Sequence, residues 1–144
     1  MIEFKILGIP SPKQSARFYA KNFGGKTMIK SYQKEEVVEK ERNIAFDVKS
    51  QLPEGFIPYD CPLSIEVLFV FPLLSSMKKA VRQSIEEGVI VYKPTKPDLQ
   101  DNLLKGLCDS MNGIVFVDDS RICKVSSQKI YGLIPRTEVI IKEL

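Results

Sequence analysis

Histidine is absent from this chain of 144 residues. That absence excludes a Ser-His-Asp triad, a Cys-His nucleophile pair, histidine-ligated zinc and histidine-dependent nuclease chemistry. Acid-base or metal chemistry must therefore run on Asp, Glu, Lys, Tyr or water. Cysteine is also scarce. Cys61, Cys108 and Cys123 are an odd number without paired spacing, which suggests neither a disulfide framework nor a zinc knuckle. They read as reduced core residues. No apolar run is long enough, or free enough of proline, to span a bilayer, and no secretory pattern stands at the ends, so a cytoplasmic protein without a membrane partner is expected. Internal repeats and low-complexity tracts are missing too.

What is present suits one compact domain over residues 1–144, since a 44% hydrophobic composition supplies a real core. The net charge is a modest +3, unevenly spread. Residues 4–34 hold seven Lys/Arg and no acid, which suggests a polyanionic partner. Between Lys13 and Lys30 the cations Lys13, Arg17, Lys21, Lys26 and Lys30 interleave with Phe18, Tyr19 and Phe23 around Gly24-Gly25. Read as a loop, this mixture can meet phosphates with its cations and stack exposed bases on its rings. An ordinary solvated loop whose rings fold back on the core fits the same residues.

Hydropathy patterning predicts a strand over Ile2–Leu7, a helix over Tyr32–Gln51 and a central strand over Leu63–Phe71. A second helix is expected around Met77, Ala80, Val81, Ser84 and Ile85, capped by Ser75 or Ser76 and stopped by Gly88. Its outer cations Lys78, Lys79 and Arg82 read as a solvated face or a DNA contact. A short strand over Val89–Tyr92 and a third helix from Asp98 to Asn112 follow. Further β-like pieces are Ile114–Val117, Ile122–Val125, Lys129–Leu133 and Glu138–Ile141. The fold class is α+β: a single-domain mixed β-sheet packed against about three helices.

The third helix carries the chemistry. On an ideal helix, Asp98, Asp101, Lys105, Asp109 and Asn112 fall within an arc of roughly 80°. Leu103, Leu104, Leu107, Cys108 and Met111 take the opposite side and should pack on the sheet. Phosphodiester hydrolysis assisted by Mg²⁺ needs oxygen ligands for the ion and a cation for the charge gathering on phosphate. Three aspartates and a lysine supply both. The plain alternative is that acids in a first turn serve capping and the helix dipole, and that Lys105 and Asp109 form an ordinary i, i+4 pair. Asp118-Asp119 closes the apolar run Ile114–Val117; a turn explains it plainly, whereas a continuing strand would aim only one of the two at the helix.

Four segments in order resemble the RusA family of Holliday junction resolvases: Gly-Ile-Pro-Ser-Pro-Lys-Gln-Ser-Ala-Arg after the first strand, Lys96-Pro97-Asp98 to Lys105, Asp109-Ser110-Met111-Asn112-Gly113, and Asp118-Asp119-Ser120-Arg121. The resemblance implies a homodimeric, Mg²⁺-dependent endonuclease, of a kind often encoded by phages and prophages, that cuts four-way DNA junctions in recombination and repair. It implies that Asp101 and Asp119 bind metal, that Lys105 is the essential lysine and that Asn102 is the asparagine of the Asp-Asn step. The family's first two aspartates stand as Asp-x-Asp; this chain has Asp98-Leu99-Gln100-Asp101, one residue more. Helix geometry favours Asp98 as the further ligand, because i and i+3 share a face. The expected site is then Asp98, Asp101 and Asp119 around Mg²⁺, with Mn²⁺ as an alternative ion and Lys105 as the catalytic cation. DNA contacts are expected from Lys13, Arg17, Lys21, Lys26, Lys30, Lys96, Asn102 and Arg121. Two rival functions remain: another Mg²⁺-dependent branched-DNA nuclease, or a non-catalytic DNA-binding module.

Overall fold

The computed structural model describes the backbone of residues 1–11, 17–23, 26–32 and 35–144, and the side chains of residues 1–11, 35, 39 and 42–144. Among the described residues, six strands and three α-helices run in the order β1 (Ile2–Leu7), β2 (Arg17–Phe23), β3 (Lys26–Tyr32), α1 (Glu35–Gln51), β4 (Leu63–Phe71), α2 (Lys79–Glu86), α3 (Lys105–Met111), β5 (Ile122–Tyr131) and β6 (Arg136–Glu143). The expected α+β architecture is present. A four-stranded sheet has the order β1-β6-β4-β5, and β2 and β3 form a separate two-stranded sheet. Pairing is antiparallel except between β4 and β5.

Strand alternation explains the layering. Phe4 on β1, Leu63, Ile65, Val67, Phe69 and Phe71 on β4, and Val139 and Ile141 on β6 are all buried. The opposite face carries charged pairs: Lys5 with Glu138 at 3.3 Å, Arg136 with Glu138 at 2.8 Å, and Lys142 with Glu66 at 3.3 Å. Against the apolar face sit Val48 of α1 and Leu107, Cys108 and Met111 of α3, in one continuous core with the strands. The underside of the third helix is therefore fixed as its hydrophobic spacing predicts, with Leu104 only partly covered. Gly106 and Ser110 are buried as well, the Ser110 hydroxyl donating to the Gly106 carbonyl at 2.9 Å.

Several local expectations are corrected. The basic segment is not simply a loop: residues 17–23 and 26–32 pair as an antiparallel hairpin. Lys13 and Gly24-Gly25 lie outside the described residues. Lys78, not Ser75 or Ser76, precedes α2, and no side chain caps it. Arg82 instead secures the approach to that helix, donating to the carbonyls of Leu74 at 2.6 Å and Met77 at 3.3 Å. Gly88 ends the helix as expected, with φ +94°, a left-handed conformation that suits glycine. Val89–Tyr92 contributes a single bridge, Tyr92 to Ile130, rather than a strand. The pieces Ile122–Val125 and Lys129–Leu133 merge into one continuous strand, β5, which ends at Tyr131, short of Gly132 and Leu133.

Ile114–Val117 is likewise not a strand. Gly113 turns the chain at φ +75°, and the amides of Ile114 and Val115 fold back onto the Met111 carbonyl at 3.0 Å each. Two isolated bridges take the place of a ladder: Tyr59 donates to the Val115 carbonyl at 2.9 Å and accepts from the Val117 amide at 3.0 Å, and Asn112 bridges to Phe116, whose carbonyl accepts the Gly113 amide at 2.8 Å. Val115 and Phe116 are fully buried and act as an anchor. That anchor returns the chain to the end of α3 and sets down Asp118-Asp119 beside it.

Candidate metal and DNA site

The helix expected from Asp98 to Asn112 is built in two parts. Leu99–Leu104 forms a π turn, and α3 begins at Lys105. The Leu103 amide bonds to the Asp98 carbonyl at 3.1 Å, five residues back, where an α-helix would reach four. The π turn therefore holds one surplus residue without turning the buried face of α3 away from the sheet. The longer Asp98-Leu99-Gln100-Asp101 spacing coincides with that turn. Asp98 itself stands just outside, extended at φ −66° and ψ 136°, with no capping bond from its side chain. The ideal-helix arc consequently does not describe Asp98, although its backbone remains tied to the turn.

Asp98, Asp101 and Lys105 are exposed, and Asn102 is half-buried. Leu103, Leu107 and Met111 hold the same segment from beneath, so the polar groups stand on a rigid base. Asp118 and Asp119 divide as a turn dictates. The Asp118 carboxylate accepts the Ser120 amide at 2.9 Å, opening a short 3-10 turn over Asp119–Arg121. Hydrogen bonding from Ser120, by its side chain first and then its amide, holds the Asp118 carboxyl below its usual range. Asp119 makes no such cap. Its charge is felt by Cys108 on α3, whose thiol is pushed up to about 12 first by burial and then by Asp119 and Asp109. Asp119 thus lies near enough to α3 for its charge to reach Cys108. Arg121 is engaged with Asp60, donating through Nε at 2.7 Å, and that partner raises its pKa.

Among the described residues, no group of three or more His, Cys, Asp or Glu converges closely enough to make a metal cage. The donor chemistry nevertheless fits a hard cation. Mg²⁺ is commonly held by one or two carboxylates, with waters and substrate phosphates completing its octahedron, so a closed protein cage is not needed.

The hairpin arranges the cations. Arg17 pairs with Tyr32, Tyr19 with Lys30, Lys21 with Met28 and Phe23 with Lys26. Directly opposed residues of an antiparallel pair share a face, and alternate positions along each strand repeat it. By register, Arg17, Lys21, Lys26 and Lys30 therefore belong to one face with Tyr19, Phe23 and Tyr32. Phe18 falls at a position on the other face. The Gly-Gly pair between two seven-residue segments was the sequence signal for a hairpin. Lys96 is exposed in the loop that precedes Asp98.

The sequence pattern of the family Endodeoxyribonuclease RusA matches residues 10–142, nearly the whole chain. The chain belongs to the RusA endodeoxyribonuclease family. It is also similar to "Uncharacterized protein YqaN" of Bacillus subtilis (strain 168), with 28% identity over 143 residues that cover 99% of this chain and 96% of that protein. The RusA match spans the π turn, α3 and the Asp118-Asp119 turn. Among the described residues, no helix is long and apolar enough to cross a membrane.

Proposed function

We propose that this protein is a Mg²⁺-dependent endodeoxyribonuclease that resolves four-way DNA junctions by paired cuts, acting as a homodimer in the cytoplasm. The observation that supports the reading is the exposure of Asp101 on the π turn and of Lys105 at the start of α3, above a buried apolar face, in a RusA-family chain. Asp98, Asp101 and Asp119 would hold Mg²⁺, and Mn²⁺ would be accepted in its place. Bound there, the ion supplies Lewis acidity to the scissile phosphate and lowers the pKa of water.

The chain's own residues do the rest. Lys105 meets the negative charge that develops on the phosphate, a role in which one aimed cation counts for more than many diffuse ones. Arg17, Lys21, Lys26 and Lys30 on the hairpin, together with Lys13, track the backbone, and Tyr19 and Phe23 offer rings to unpaired bases at the crossover. Lys96, Asn102 and Arg121 flank the cleavage point. A four-way junction is nearly twofold symmetric, so two copies related by a C2 axis place two sites on opposed strands.

Incubating the protein with labelled four-way junction, fork and linear duplex, in Mg²⁺ or in EDTA, tests the reading. Metal-dependent, paired cuts confined to the junction are expected. Equal cutting of forks or duplex would replace junction resolution by a broader branched-DNA activity, and binding without cutting would leave only a DNA-binding module. Asp101→Asn and Asp119→Asn should each abolish cleavage while preserving junction binding; full activity in either variant removes that residue from the site.

A further inference from the structure

Lys129 joins the sheet to the segment that delivers Asp98. From β5 its ammonium donates to two main-chain carbonyls, Thr95 at 2.5 Å and Pro97 at 2.7 Å. Its own carbonyl accepts the Lys93 amide at 3.0 Å. Lys93 reaches in the opposite direction. Its ammonium stands 5.1 Å from the centre of the Phe71 ring and 5.3 Å from that of Tyr131, and donates to the Thr95 hydroxyl at 2.9 Å. Residues 93–97 are therefore clamped from both sides, by a sheet lysine gripping the loop and a loop lysine gripping the sheet. The Pro97 carbonyl is the last of these anchors, and Asp98 follows it directly.

A turn held by its own hydrogen bonds would give Asp98 only one fixed neighbour, the Leu103 amide at its carbonyl. Lys129 adds a second on the other side of the same residue. We propose that Lys129 is a positioning residue: it fixes the backbone entering Asp98 and so sets the direction from which that carboxylate meets a divalent ion. The consequence for the ion rests on the nuclease reading, whereas the clamp itself does not. Lysine suits the task because a single ammonium can serve several acceptors at once, and charge-assisted bonds to carbonyls are the stronger kind. In the sequence Lys129 is one polar residue of a strand, with nothing nearby to mark it.

The test compares wild type with Lys129→Met, which keeps the stem and loses the donors, and Lys129→Arg, which restores a donor fork. Two measurements need no catalysis: backbone hydrogen exchange over residues 99–103, and Mn²⁺ affinity of the free protein by electron paramagnetic resonance titration. In Lys129→Met, exchange should quicken locally while β6 stays protected, and Mn²⁺ affinity should fall about tenfold, the lower end of what removing an outer support costs a metal site. Lys129→Arg should recover most of both. Junction affinity in EDTA should not change. Unaltered exchange overturns the clamp; quicker exchange with unaltered Mn²⁺ affinity leaves a merely structural lysine and overturns the positioning role. A wild-type protein that takes up no Mn²⁺ overturns it as well. If Lys129→Met does not fold, Lys129→Gln, which retains an amide donor, takes its place in the same comparison. Junction cleavage by wild type judges the nuclease reading separately: a protein that binds Mn²⁺ and shows the affinity difference yet cuts nothing keeps the clamp and loses the reading.

Discussion

Deleting Gln100 probes the π turn directly. Removing one residue from a regular α-helix turns everything on one side by about 100° and shifts it by about 1.5 Å. In α3 such a loss, for instance of Asp109, would swing Met111, fully buried, away from the core. The expected cost is about 2–5 kcal/mol, comparable to truncating a large core side chain. Gln100 is different. It is exposed, and it sits inside the step of five that links the Leu103 amide to the Asp98 carbonyl. Without it the step becomes four, an ordinary α-helical bond, while Leu103, Leu107 and Met111 keep their places. The stability change should stay below about 1 kcal/mol, as for surface changes that break no cap or contact. With urea m-values of about 1–3 kcal/mol/M, the deletion of Asp109 should lower the unfolding midpoint by on the order of 1 M, and that of Gln100 by much less. Under the nuclease reading, the shortened chain should still cut junctions, now with the Asp-x-Asp spacing. Equal destabilisation by the two deletions would refute the idea that the π turn stores a surplus residue.

Other outcomes follow from packing and charge. A Cβ on Gly132 would lie 2.5 Å from Cγ1 of Val70, a stiff and fully buried side chain, so Gly132→Ala should cost about 1–3 kcal/mol and lower the calorimetric Tm by several degrees. Cys108, with its thiol pushed up to about 12 by burial, should resist a thiol reagent at neutral pH, whereas exposed Cys123 should react; mass spectrometry of labelled peptides reads both. Hydrogen bonding from Arg136, and then Lys5, holds the Glu138 carboxyl below its usual range. A lowered folded pKa contributes stability above the unfolded value, roughly 4.3, and loses it as pH falls through the folded one. Glu138→Gln should therefore lower Tm at neutral pH, and the gap from wild type should close in strong acid.

The sequence was most readable where one physical signal dominated. The β-branched run Leu63–Phe71 could hardly be anything but a central strand, and the spacing of Leu103, Leu107, Cys108 and Met111 named the buried side of the site helix correctly. The acidic side was harder to read, because an ideal helix was assumed through Asp98 and a π turn leaves no compositional mark. Ile114–Val117 misled for a different reason. Its apolar content serves a buried anchor after Gly113, not a ladder of strand bonds, and short apolar runs look alike in both settings. The basic segment reads as a loop by its charge, while the Gly-Gly pair at its centre is the mark of a hairpin turn. The clamp at Lys129 depended on contacts between residues far apart in sequence, which no local pattern reports.

The one parallel pairing in the sheet has a kinetic meaning. Leu63 meets Ile122 and Phe71 meets Tyr131, so β4 and β5 become neighbours only after α2, the π turn and α3 have been carried across the gap between them. Closing so long a loop costs entropy before it returns any contacts. The β2–β3 hairpin closes locally, whereas β6 lies farther along the chain than β5, so its antiparallel pairing with β1 and β4 spans a still longer excursion. During refolding, pulse-labelled amides of the β2–β3 hairpin should gain protection before those of β5 and β6, and under the nuclease reading the ability to bind a divalent ion should emerge with the latter. A chain that has formed its local hairpin would then still lack the arrangement the nuclease reading needs to cut DNA, and the capacity to damage its substrate would arrive last.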